Sequence, residues 1–165
     1  MAYSKMLCGA VLVAAAFGLS ACGGEAAGDE AAVASGPEPE AIGERQATFK
    51  AIGKSFKAIR GQLEGESPEM AAIVTAATDM NASAQKVESL FPEGTSVADG
   101  YDTEALAVIW EKPDQFAEAH QRLIDASAKM ITIAEGGDVQ AVKDHVSAVG
   151  GSCKNCHDNF RLDTD

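Results

Sequence analysis

Positive charge is in short supply in this chain. Its 165 residues carry 13 Lys and Arg against 25 Asp and Glu, a net charge of −12. A surface that acidic repels phosphate backbones, which excludes nucleic acid as a partner. Aromatic residues are also scarce, at 5%, while apolar residues, many of them alanine, make up 46%. Sheets favour aromatic and β-branched side chains, so this balance points to packed helices. No alternating strand pattern competes with that reading. Cysteine is limited to Cys8, Cys22, Cys153 and Cys156. The length suits one ordinary domain with one core.

What is present begins with an export signal. Lys5 is followed by an apolar run over residues 6–19, which ends Leu19-Ser20-Ala21-Cys22. A short apolar core closed by small residues is the pattern of a signal cut after export. The ending resembles the lipobox of bacterial lipoproteins, which implies cleavage before Cys22 and a lipid on its sulfur. A plain secretory signal or a short membrane anchor is the alternative. Residues 1–21 carry one Lys and no acid, so cleavage takes the net charge from −12 to −13. Residues 22–40 then read as an acidic tether, with small residues, two prolines and almost nothing to bury. The eighteen residues after Cys22, as a flexible coil, span roughly 23 Å.

Residues 41–165 read as four amphipathic helices. The first has its seam at Ile42, Arg45, Phe49, Ile52, Phe56, Ile59 and Leu63, with Gly61 and Gly65 marking its end. The second is expected to start at Ser67-Pro68, serine as N-cap and proline in the first turn, with Met70, Ile73, Ala77, Met80, Ala84 and Val87 on its seam. Phe91-Pro92-Glu93-Gly94 breaks it, and a short helix is expected over residues 103–111. The third starts at Pro113 and runs through Phe116, Leu123, Ser127, Met130 and Ala134 to Gly136-Gly137. The fourth follows Asp138, with Val139, Val142, Val146, Val149, Cys153, Cys156 and Phe160 at three-four spacing, locally weakened by Gly150-Gly151. Short links between most of these helices make the expected fold an all-α, antiparallel four-helix bundle.

The chemistry lies in Cys153-Lys154-Asn155-Cys156-His157. Residues three and four apart share a helix face, so Cys153, Cys156 and His157 project together. Cys-x-x-Cys-His is the signature of covalent haem: each thiol becomes a thioether and the imidazole reaches the iron. Structural zinc would need four ligands, and only His120 and His145 remain to help. A thioredoxin-like pair would need a βαβ context. No Met or His follows the motif, so any second axial ligand must come from upstream.

Several further stretches stand at matching positions: Glu44-Arg45-Gln46-Ala47, Phe91-Pro92-Glu93-Gly94-Thr95, Ile109-Trp110 with Phe116, and the motif itself from Gly150 through Asp158 with Arg161. With them the chain resembles cytochrome c prime, the four-helix class II cytochromes c, over residues 40–163. The resemblance implies one covalent haem c bearing iron, held by Cys153, Cys156 and His157. It places Phe49 on the open side of a five-coordinate iron, where low-spin relatives carry a methionine. It places Arg45 at a haem propionate, the alternative being a packed stem with its head in water. It places Arg161 on the proximal haem side, the alternative being a cation favoured at a helix C-terminus.

The implied function is binding of nitric oxide, or of a similar diatomic gas such as carbon monoxide, with electron transfer as a further role. A low-spin electron carrier is the alternative. No distal acid–base group is evident, so an enzyme is not expected. The resemblance also implies a homodimer and a periplasmic location, from which the lipid anchor at Cys22 would be a departure. Met70, Met80 and Met130 are expected in the core, Trp110 in the core or lining the pocket, and His120 and His145 partly exposed. Lys50, Lys54 and Lys57 form a basic stripe, either a solvated face or a docking site for a redox partner protein.

Overall fold

The computed structural model describes residues 38–163. The signal segment 1–21, Cys22 and the tether up to residue 37 lie outside that range.

Four long helices carry the fold. α1 (Glu40–Glu64) buries Ile42, Arg45, Ile52 and Ile59, and its Phe49, Phe56 and Leu63 pack against the core from half-buried positions. Gly61 does not end it; Gly65 does, its N–H donating to the Gln62 carbonyl at 3.2 Å. α2 (Met70–Ala84) starts two residues after Pro68 rather than at it. No side chain of its own caps it, and the Glu69 N–H donates to Gln62 Oε1 at 3.0 Å, so the end of α1 serves where Ser67 was expected to. After α3, a single turn (Val108–Glu111), come α4 (Pro113–Glu135) and α5 (Val139–Phe160). Pro113 opens α4 at a position where its missing N–H costs nothing. Gly137, at φ 74°, ends the α4 segment in a conformation that favours glycine. Asp138 caps α5, accepting from the Gln140 and Ala141 N–H groups at 2.9 and 3.1 Å. α5 continues unbroken through Gly150-Gly151, and a Cβ at Gly150 would stand 3.5 Å from Phe56 of α1.

The expected helix over 103–111 shrinks to its last turn because the preceding residues bond elsewhere. The Leu106 N–H donates to the Phe160 carbonyl at 3.1 Å, and the Leu162 N–H donates to the Glu104 carbonyl at 2.7 Å. Ala105 and Arg161 thereby form an isolated antiparallel bridge. Residues 104–106 are thus tied to the chain just beyond α5.

Consecutive long helices pack side by side: α1 on α2, α2 on α4, α4 on α5. Short links join α1 to α2 and α4 to α5 as antiparallel pairs, while residues 85–112 carry the chain from α2 to α4. Ile59, Ile73, Met80, Met130, Val142 and Val149 are fully buried between them. Each such side chain contributes about 1.5–3 kcal/mol. Ser127 is the polar exception in this layer, and its hydroxyl donates to the Leu123 carbonyl at 2.8 Å and accepts from Asn81 Nδ2 at 2.8 Å. α1 and α5 meet only sparingly, which leaves the bundle open along that side. No described helix is long and apolar enough to cross a membrane.

Candidate functional site

The opening between α1 and α5 is a cavity of about 830 Å³. That is in the upper part of the size range of small-molecule and cofactor sites, about 300–1,000 Å³. Its walls are apolar: Phe49, Ile52 and Phe56 from α1, Phe116, Ala119 and Leu123 from α4, Cys153, Cys156 and Phe160 from α5. Aromatic rings run around it edge to face. Phe49 meets Phe91 at 6.3 Å between centroids, Phe91 meets Phe116 at 4.8 Å, and Phe116 meets Phe160 at 5.3 Å.

Helical spacing brings Cys153, Cys156 and His157 to this cavity together, as expected. Both thiols are free and half-buried. Burial raises both, and Cys156, with Cys153 beside it, is pushed up to about 11. They therefore stay protonated at neutral pH, unlike the thiolates of redox pairs or zinc sites. His157 is exposed at the cavity lining, yet partial burial desolvates its imidazole and lowers its pKa; Arg161 lowers it further, against Glu104 and Asp158. Neutral imidazole, the form that ligates iron, is thus favoured. Zinc gains nothing from the other histidines, and no described cluster of three His, Cys, Asp or Glu could hold a lone metal ion. His145 Nε2 lies 2.9 Å from the Ala126 carbonyl. His120 is not partly exposed as expected: it is buried, and its Nε2–H donates to the Ala84 carbonyl at 2.7 Å. Ala84 ends α2, where carbonyls lack helical partners, and this hydrogen bond draws the ring inward onto the cavity wall.

Arg45 lines the cavity, but its head does not reach water, since the residue is 3% exposed. Nη1 donates to the Leu90 carbonyl at 3.4 Å and Thr95 Oγ1 at 3.2 Å; Nη2 donates to the Thr95 carbonyl at 2.9 Å and Thr103 Oγ1 at 2.8 Å. The guanidinium also sits 4.6 Å over the Phe91 ring. Burial lowers its pKa, with Glu38 opposing, yet arginine stays charged. These bonds pin the 90–103 loop to α1, and Gln46 adds one more, from Nε2 to the Asp102 carbonyl at 2.9 Å.

Arg161 leaves the helix rather than extending the face of His157. It is the extended C-cap of α5, and its Nε donates to Glu104 at 2.6 Å at the cavity mouth. Trp110 is outside the cavity lining; its indole N–H donates to the Phe91 carbonyl at 3.1 Å. Met80 and Met130 are fully buried, and Met70 packs half-buried against the core. Tyr101 and Leu162 also line the cavity, and no local pattern marked them beforehand.

A haem suits this donor set. The cavity is cofactor-sized and apolar, and two protonated thiols and an imidazole share one of its walls. The comparisons with known proteins agree. The family model described as Cytochrome C' matches residues 40–161. A cytochrome c' from Pararhodospirillum photometricum is 36% identical over 124 residues, covering 74% of this chain and 98% of that one. Cytochrome c-554 from Cereibacter sphaeroides is 36% identical over 103 residues, covering 61% and 77%. The solved cytochrome c prime from Shewanella frigidimarina superposes with a TM-score of 0.68 at 32% identity, covering 74% of this chain and 94% of that one. This chain belongs to the cytochrome c' family, whose members bind one iron-bearing haem c covalently.

Proposed function

We propose that the protein is a periplasmic c-type haem protein with a five-coordinate iron, which takes nitric oxide or a similar diatomic gas and also passes electrons. When bound, the haem would supply an iron able to take such a gas. The observation that carries the reading is the cavity lining, which holds no methionine among the described residues. From α1 it presents Phe49, Ile52 and Phe56, none of which has a lone pair to give iron. His120, the other imidazole on the wall, is engaged through Nε2 by the Ala84 carbonyl. This lining disfavours the low-spin alternative, which needs a sixth protein ligand. A cytochrome c prime variant from Alcaligenes xylosoxidans has been solved as its nitric oxide complex, at 22% identity and a TM-score of 0.66; it shares the fold. We assign no turnover to the protein: of the carboxylates on the lining, Glu104 is paired with Arg161 and Asp102 is exposed.

Phe49→Ala tests the open position. Carbon monoxide association with the ferrous protein should speed up about tenfold, the effect of removing about 1.4 kcal/mol of barrier. Before ligand is added, the iron should remain five-coordinate. Phe49→Met should instead give a low-spin spectrum. An unchanged rate in Phe49→Ala would remove Phe49 from this role, and a six-coordinate ferrous wild type would end the open-site reading.

We also propose that Cys22 is the lipidated mature N-terminus, on the strength of Leu19-Ser20-Ala21-Cys22. Cys22→Ser should move the protein from the membrane fraction to the soluble periplasm. A wild type already soluble would rule out the anchor and leave the haem reading intact.

A further inference from the structure

Five of the chain's 13 Lys and Arg, and none of its 25 Asp and Glu, fall between residues 45 and 60. Arg45 is buried, but Lys50, Lys54, Lys57 and Arg60 are exposed along α1. The three lysines are three and four apart and so form one stripe, on the flank next to Phe49 and Phe56. Lys50 itself lines the cavity, so the stripe begins at its edge. None of the four makes an ion pair among the described residues. On other helices Arg122 pairs with Glu118 and Lys154 with Asp158, while Lys129 and Lys143 stand singly, one to a helix, rather than in a stripe.

We propose that this flank of α1 docks a one-electron carrier protein with an acidic face, which exchanges its electron at the cavity edge beside Lys50. The proposal rests on reading the chain as an electron-carrying haem protein and names its partner's chemistry. The charge distribution supplies the argument. A net charge of −12 repels an acidic partner over most of the surface. The basic flank of α1, which carries no acidic residue between 45 and 60, attracts it, so an encounter is turned toward the cavity edge. A second copy meeting this flank across a two-fold axis would set lysine against lysine, which disfavours a homodimer here. A flat anionic membrane would also face the acidic remainder of the protein. Exchange moves one electron between the partner's centre and the iron, one oxidised and the other reduced, with no bond or proton transferred.

Two anionic probes stand in for the acidic carrier, both used on the haem-loaded protein. Hexacyanochromate(III) is paramagnetic and redox-inert. It should broaden amide resonances of residues 46–61 most, relative to diamagnetic hexacyanocobaltate(III). Hexacyanoferrate(III) oxidises the ferrous protein by one electron. Between 0.1 and 1 M salt the screening length shrinks from about 10 to 3 Å, so the probe senses local charge rather than the whole molecule. The rate should fall several-fold over that range. In Lys50→Glu/Lys54→Glu/Lys57→Glu it should be roughly tenfold lower at 0.1 M and should rise with salt. Lys86→Glu/Lys129→Glu/Lys143→Glu makes the same net-charge change elsewhere and should stay within twofold of wild type.

Broadening centred off α1, a wild-type rate that rises with salt, or equal slowing in both variants would each overturn the proposal. So would a wild-type dimer that the α1 variant dissociates, or binding to phosphatidylglycerol vesicles lost in that variant with the oxidation rate unchanged. Failure of the underlying haem reading is separately visible, as a wild type without a haem spectrum before any probe is added.

Discussion

Arg45→Met should lower the unfolding free energy of the haem-loaded protein by about 3 kcal/mol. Methionine fills much of the space the arginine stem occupies, so the loss is not chiefly one of packing. The Leu90 and Thr95 carbonyls lose the guanidinium donors, and each buried carbonyl left without a partner costs about 1–3 kcal/mol. The hydroxyls suffer less: Thr95 still donates to the Pro92 carbonyl at 2.7 Å, and Thr103 still accepts from the Ala105 N–H at 3.3 Å. Arg45→Lys keeps the charge but loses the planar fork and should fall in between. Urea unfolding at constant ionic strength measures both. A loss below about 0.5 kcal/mol in Arg45→Met would mean that the buried guanidinium does not hold the loop.

Cys153→Ser/Cys156→Ser should abolish covalent haem altogether. Acid-acetone treatment should leave the wild-type protein red and strip the double variant of any residual colour. Each single variant should keep haem through its remaining thioether. If wild-type haem moves into the organic phase, covalent attachment is wrong. The double variant should also melt more than 10 °C lower, equivalent to a few kcal/mol, because the cavity walls formed by Phe49, Phe56, Phe116 and Phe160 lose what they pack against. His157→Ala should leave the iron without its protein ligand and change the spectrum even where thioethers form.

The helices were readable because their signals are local. Three-four spacing of Ile42, Ile52 and Ile59, or of Val142, Val149 and Cys153, reflects burial on one face. The same spacing brought Cys153, Cys156 and His157 together, and placed Phe49 on the cavity wall. What local pattern could not carry was each contact made across the chain. Ser67 looked like a cap, but Gln62 of the preceding helix binds the first turn instead. Residues 103–106 looked helical, but their bonds go to Arg45 and to the chain beyond Phe160. Arg45 looked like an intruder on an apolar seam; its oxygen partners lie 45 to 58 residues away. His120 became a wall residue through a carbonyl 36 residues earlier.

The ties around the cavity mouth have a cost in chain entropy. Arg45 joins α1 to Thr95 and Thr103, closing loops of 50 and 58 residues. Arg161 joins Glu104 across 57 residues, beside the Leu162 and Leu106 backbone bonds. Closing a loop of that length costs about 3.5 kcal/mol before any constant term. By contrast, α4 and α5 are joined by a link of only three residues, so little chain is immobilised to bring them together. The entropic burden of the fold is therefore concentrated at the rim of the cavity that Cys153 and Cys156 line, while the α1–α2 and α4–α5 hairpins behind it assemble from neighbours.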